Sequence, residues 1–480
     1  MSILEDRGLF WWNSERIPSG AFAPESAIGG TLKIDDSGSI RLELDGRMPT
    51  EKPPLAAFLD GMGQPTGRNI QGILKGDAGY VLLMRLTRNG GAFKTNGISY
   101  EIYVGLECLI CRTPFRTDHR KPLTFRSFKM GLAGFEKWLW LHGFEVKTTK
   151  SRGSIKYKKE RDVHFSTKYG KLSIEYSADG LPWKDWKVDS LAISERAAFR
   201  FSSNERMTLD ACKTYFQRLE ELLLLLTDSE YFPGWPTLTS ANGANEITFY
   251  FTRNKSTDTG PGAHECMINF PKIRNEIGLL FSNLVEKREV FGPGFYLYLG
   301  IRRGMKMFVE HRFVNLIWGL EAFDRRVRTE AGIKTPLQLK IDRILTQVTN
   351  ARDNKWLARQ LKHAGEPNLG QRLFDIFIKL PLRFDVDGLR NFCEKCAERR
   401  NDISHFGGRR SGGESYNDFI REIDKMTDAV ASLYHLHLLN EIGIPHERLD
   451  FKINNNWPLS RMERGLREAG VLTPTEGEPL

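Results

Sequence analysis

The spacing of apolar residues changes character along the chain. Up to about residue 205 it mostly alternates, as strands require when one face is buried and the other wet. "TLKIDDSGSIRLEL" (Thr31 to Leu44) holds two alternating segments around Asp-Asp-Ser-Gly and predicts a hairpin. Further strands are expected at Tyr80 to Leu86, Ile98 to Ile110, Asp162 to Thr167 and Lys171 to Ser177. Turn residues between them suit a β-sandwich or a partly open barrel. The basic stretch from Lys147 to Asp162 reads as a solvated hairpin that could also touch nucleic acid. Thr208 to Leu226 is helical in pattern, and Glu246 to Thr252 returns to strand.

Past Phe291-Gly-Pro-Gly294 the period shifts to that of helices. Val309, Phe313, Leu316, Leu320, Phe323 and Val327 recur at steps of four and three, one buried stripe. Leu337, Ile341, Ile344 and Val348 repeat it after Pro336, a favoured first-turn residue. A third helix spans Leu369 to Leu380 and stops at Pro381. Asp385 or Asp387 can cap a fourth that runs toward His405, and Ser415 to Ile444 forms a long fifth. The expected architecture is multidomain α+β. A β-rich, sandwich-like domain (1–205) and a mixed α/β continuation (206–290) precede an all-α bundle (291–445), with a polar, partly disordered tail (446–480).

Composition narrows the picture only modestly. Hydrophobic residues at 40% and charged residues at 27% describe a folded protein, and a net charge of +10 favours a polyanionic partner. No apolar run approaches the ~20 residues a membrane helix needs. Glu5 and Asp6 stand where a signal peptide carries positive charge, so the expected compartment is the cytoplasm, with reduced cysteines. Cys108/Cys111 and Cys393/Cys396 form two C-x-x-C pairs. They lie far outside the spacing of about 12 to 20 residues usual for one zinc module, so they read as core cysteines, and no metal or cofactor is expected. His435 and His437 sit one residue apart among leucines, which implies that at most one faces the core. Trp11, Trp12, Trp138, Trp140, Trp183 and Trp186 read as core aromatics rather than base-stacking platforms.

The chemistry concentrates in "RRNDISHFGG" (Arg399 to Gly408). On the fourth helix Leu389, Phe392, Cys393, Cys396 and Ile403 share one arc at ~100° per residue, and Arg400 falls inside it. A guanidinium cannot shed its charge, so on a buried stripe it needs a partner or a polar cleft. Asn401 and His405 share the neighbouring face. Arginine can neutralise the charge that builds on a phosphate's non-bridging oxygens, and an imidazole, titrating near neutrality, can move the proton. That pair suits RNA cleavage by its own 2′-hydroxyl. Asn401 could orient the phosphate or the imidazole, while Arg409 and Arg410 could hold flanking phosphates. Glu321 flanks the stripe of the first bundle helix and could contact the arginine or the imidazole, or stand as a surface glutamate; Asp402 could orient His405 or pair with Arg399. Arg399 satisfies the spacing to His405 as well as Arg400 does. Because one straight helix holds Arg400 and His405 about 140° apart, a cleft between two copies of the chain is part of the expectation.

"RNDISH" (Arg400 to His405) resembles the R-x4-6-H motif of HEPN ribonucleases, including the polar residue after the arginine. More narrowly, "LRNFCEKCAERRNDISHFGG" is similar to the bundle of ApeA-type bacterial anti-phage proteins, and "GLFWW" with "GGTLKIDDSGSIRLELDG" resembles the β-rich domain before it. The resemblance implies a metal-independent endoribonuclease, dimeric through its bundle and held latent until infection is sensed through a phage-derived trigger. Its substrate would be RNA, with tRNA among the candidates. Arg400, His405 and Asn401 would be catalytic, Arg399, Asp402 and Glu321 supporting. The alternative is a non-catalytic HEPN-like module that dimerises and binds nucleic acid. The same loose spacing from Arg112 to His119 lies in a loop-like segment and is credited with nothing.

Overall fold

The alternating segments form one 12-stranded antiparallel system in the computed structural model. The structure describes residues 2–480 except 51–62, 78, 93, 95, 98, 116–121, 133, 142, 151, 181–191, 230–233, 244, 254–259, 261, 332–335, 362–365, 408–414, 452–456 and 474–480. Two compact units result. One comprises Met1–Lys137, Leu141–Glu220 and Tyr231–Gly260; the other comprises Trp138–Trp140, Glu221–Glu230 and Pro261–Leu480.

In the first unit, β1 (Ser2–Trp12), β2 (Ile28–Asp35), β3 (Ile40–Leu44), β4 (Ile70–Leu74), β5 (Tyr80–Ala92) and β6 (Tyr100–Cys111) close on themselves. The order β6-β3-β2-β1-β4-β5 is completed by pairing of β5 with β6. Of the sandwich and the barrel compatible with the pattern, a barrel forms. Phe10, Leu32, Ile34, Leu42, Val81, Leu83 and Cys108 fill its core. The predicted hairpin is β2–β3, with Lys33 opposite Arg41, and Asp35 accepts from the backbone of Ser37 and Ser39 across the turn.

β6 outlasts the barrel. Its first half pairs β3, and Glu107 to Ile110 pair β14 (Glu246–Phe251). From there the sheet runs through β13 (Thr237–Ser240), β7 (Phe125–Gly131), β12 (Ser194–Met207) and β11 (Gly170–Asp179) to β10 (Val163–Thr167). The basic stretch forms a separate hairpin, β8 (Phe144–Thr148) with β9 (Gly153–Tyr157), whose Val146 and Ile155 are both exposed. The scattered tryptophans divide: Trp11 and Trp138 are fully buried, Trp140 is half exposed, and Trp183 and Trp186 lie outside the described residues.

The helices follow α1 (Phe135–Leu139): α2 (Leu209–Thr227), α3 (Phe270–Ile273), α4 (Ile277–Arg302), α5 (Val309–Ala331), α6 (Pro336–Gln347), α7 (Ala351–Leu361), α8 (Leu369–Phe377), α9 (Val386–Phe406), α10 (Tyr416–Ile442), α11 (His446–Leu449) and α12 (Trp457–Glu468). Three expectations need correction. Helix α4 begins at Ile277 and runs through residue 291. Pro293 only kinks it, and Gly292 takes a left-handed φ of 63° that a side chain would strain. The stretch after Pro445 is not a loose tail: α12 buries Leu459, Met462 and Leu466, and Val471 and Leu472 continue the core. Its polar composition reflects one buried face on a short helix.

The third correction concerns α10. Both His435 and His437 are buried, because between Ala429 and Leu439 this helix is enclosed on nearly every side. His435 Nε2 donates to the Leu225 carbonyl (2.8 Å), and its Nδ1 lies 2.5 Å from the Tyr298 hydroxyl and 3.3 Å from Asp228 Oδ1. Arg302 and Asp228 complete this buried cluster, with Arg302 Nε 3.2 Å from Asp228 Oδ1. Burial raises the Asp228 carboxyl, yet Arg302 and His435 outweigh it and hold it below the ordinary carboxylate value.

Candidate active site

Helix α9 carries the site residues, and its ends are well defined. The Asp385 side chain caps it by accepting from Gly388 N (3.1 Å), and Gly407 ends it in a left-handed conformation at φ 67°. Helix therefore persists through His405 rather than unwinding there. Leu389, Cys393 and Cys396 are fully buried on the predicted arc, Phe392 nearly so, and Ile403 only half. Burial pushes the Cys393 thiol up to about 12 and Cys396 well above its ordinary value, as for thiols packed in an apolar core.

Adjacent arginines diverge from this stripe. Arg399 turns toward α10, where its Nε donates to Glu422 Oε2 (2.6 Å) and its guanidinium lies 5.2 Å from the Phe419 ring centre. Its Nη1 also stands 3.7 Å from buried Asp402, so Asp402 serves the arginine. Lys395 binds the same Glu422. Burial raises the Glu422 carboxyl, but hydrogen bonds from Lys395 and Arg399 outweigh that and hold it low.

Arg400 turns toward α5. Its Nη2 donates to Glu321 Oε2 (3.0 Å) and its Nη1 to Asn401 Oδ1 (3.0 Å), while its buried Nε has no hydrogen-bond partner. Both side chains of the Arg400–Glu321 pair are about one-fifth exposed, at 20% and 18%. The predicted conflict of a guanidinium on an apolar stripe is thus resolved by a carboxylate from the facing helix. Asn401 orients the arginine, not an imidazole. His405, five residues on, is exposed and makes no hydrogen bond or ion pair among the described residues. Arg409 and Arg410 lie outside the described residues, as does His119.

Helix periodicity could not find the charges behind Glu321. Its Oε1 accepts from Arg325 (3.0 Å), which also donates to Glu366 (2.7 Å). Arg372, buried on α8, then joins Glu366 (2.5 Å) to Asp324 (2.7 Å). Only the Glu321–Arg325 step, four residues apart on one helix, leaves a local sequence signal.

Among the described residues, no group of three or more His, Cys, Asp or Glu side chains is placed to hold a metal ion, and no helix is long and apolar enough to cross a membrane. No curated protein and no solved structure matches the chain significantly. The family model described as Apea-like HEPN matches residues 314–448, which contain Glu321, Arg372 and the whole Arg400–His405 segment. HEPN domains generally dimerise and act on RNA, and this domain supports a nuclease-like role in defence. A second model, ApeA N-terminal domain 1, matches residues 7–284, more than half of the sequence. On both matches, the chain belongs to the ApeA family, with a β-rich N-terminal region followed by a C-terminal HEPN domain.

Proposed function

We propose that the chain is a metal-independent HEPN endoribonuclease of bacterial anti-phage defence, with Arg400, His405 and Asn401 as its catalytic residues. The observation that carries this reading is the contrast between two residues five apart on one helix. Arg400 is fixed by Glu321 and Asn401, whereas His405 is exposed and uncommitted. In the proposed step the RNA 2′-oxygen bonds to phosphorus as the P–O5′ bond breaks, giving a 2′,3′-cyclic phosphate and a 5′-hydroxyl. His405 takes the 2′-hydroxyl proton or returns one to the departing oxygen, and Arg400 balances charge on the non-bridging oxygens. Arg399 is the weaker candidate, because Glu422 and Asp402 already occupy it.

Arg400 points inward and His405 outward, so the arginine of one copy and the histidine of a second would share a cleft in a homodimer. The β-rich region would restrain the nuclease until a phage-derived trigger is sensed. The test is cleavage of single-stranded RNA and tRNA by wild type, His405→Ala and Arg400→Ala, with EDTA present and the products' ends identified. Each variant should lose at least ~10²-fold in rate while remaining dimeric. Cleavage persisting in both variants would sink the assignment, and RNA binding without any cyclic-phosphate product would favour the non-catalytic module.

A further inference from the structure

Glu321 is shared. One of its oxygens takes Arg400, the other takes Arg325, and Arg325 reaches on to Glu366. Buried Arg372, whose side chain is 3% exposed, anchors Glu366 through Nη2 and is itself held by Asp324 at Nη1 and by the Pro367 carbonyl at Nε (2.9 Å). The run Arg400–Glu321–Arg325–Glu366–Arg372–Asp324 alternates in sign at every step. It ties α9 to α5, the residues just before α8, and α8 itself.

The alternation matters because an arginine and a carboxylate left alone prefer a two-pronged embrace that occupies both ends of the guanidinium fork. Arg325 prevents this by holding Glu321 Oε1 with two donors, Nε at 3.2 Å and Nη2 at 3.0 Å. Glu321 then offers Arg400 a single oxygen, and Asn401 takes Nη1. The guanidinium is aimed without being fully neutralised. Arg325 itself is held charged: burial lowers it, but the hydrogen bonds it donates to Glu321 and Glu366, and the negative charge of both carboxylates, outweigh that and raise it.

We propose that Arg325, secured by Glu366 and Arg372, is a positioning residue that sets the orientation and free charge of Arg400. This rests on the nuclease reading above. Arg325 is the position to test because its side chain is 47% exposed, so its replacement spares the core, whereas removing Arg372 would take a buried guanidinium out of contact with buried Asp324. In the full-length protein, Arg325→Gln is expected to lower kcat about tenfold with KM within about twofold and an unchanged unfolding midpoint. Glu366→Gln should act in the same direction, and Arg325→Lys should restore part of the loss. A double-mutant cycle with Glu321→Gln separates positioning from a merely structural role: the double variant should be no slower than the slower single. Wild-type kcat in Arg325→Gln, multiplying losses in the cycle, or a loss that matches the unfolded fraction would each overturn the inference. If Arg400→Ala and His405→Ala themselves cleave normally, the nuclease reading fails first; if both are inactive and Arg325→Gln is normal, only the positioning role fails.

Discussion

His437 makes the acid sensitivity of the helical unit calculable. Its ring is buried in α10 and meets Phe323 edge-on, with centroids 4.7 Å apart and planes at 76°. Its Nε2 has no hydrogen-bond partner. Burial, opposed by the negative charge of Glu441 and aided by the positive charges of Lys379 and Lys287, pushes its pKa down to about 4 from an ordinary 6.5. The folded protein therefore resists a proton that the unfolded chain accepts. The associated stability is complete above pH 6.5 and is lost as pH falls toward 4, since only the unfolded state gains the proton in that window. At ~1.4 kcal/mol per pH unit the whole span is worth about 3 kcal/mol, of which about 2 kcal/mol is lost between pH 8 and pH 5. Urea unfolding followed by helical circular dichroism measures it. His437→Leu should remove about that much of the wild-type pH dependence, while carboxylates held low, such as Asp228 and Glu422, contribute equally to both proteins. Equal slopes in the two proteins over this window would refute the reasoning. The position bears on the site because Phe323 lies on α5 between Glu321 and Arg325.

Two glycines of the bundle should respond with opposite sign to the same substitution. A Cβ on Gly294 would stand 2.3 Å from Gly319 Cα, so Gly294→Ala must part α4 from α5 and is expected to cost about 2 kcal/mol or more in unfolding experiments. A Cβ on Gly465 in α12 meets nothing within 4 Å, and Gly465→Ala should stabilise by up to about 1 kcal/mol. Asp385→Ala removes the cap of α9 and should cost about 1 kcal/mol, whereas Asp385→Asn, which can still accept from Gly388 N, should cost far less by the same measurement.

Local interactions were the legible ones. The β2–β3 turn is specified by Asp35 and the three residues after it, and the start of α9 by Asp385 three residues ahead of its partner Gly388. The buried arc through Cys393 and Cys396 follows from helical phase alone. Closure of the barrel does not, because it depends on β1 finding β4 and β5 finding β6, registers that no local pattern encodes. Gly292-Pro293 looked like a boundary since a proline usually ends a helix, but packing carries α4 through the kink. Periodicity also presumes one buried stripe, which explains why it expected only one of His435 and His437 inside. Arg372 was invisible for a related reason: its carboxylates Asp324 and Glu366 come from outside its own helix.

Arg399 and Arg400 show how little sequence distance means once a helix is packed. Successive residues on a helix diverge by ~100°, so the two guanidiniums reach different neighbours, α10 for one and α5 for the other. Arg399 meets Glu422 and Asp402, two carboxylates for one cation, although Lys395 draws on Glu422 as well. Arg400 meets one carboxylate that it must share with Arg325, together with a neutral amide. Counting Glu321 as divided between two arginines leaves Arg400 the less neutralised of the pair, and uncompensated charge is what a phosphate in transit recruits. On the proposed reading, the choice between two arginines of equal standing in the motif is made by the counter-charges on the facing helices.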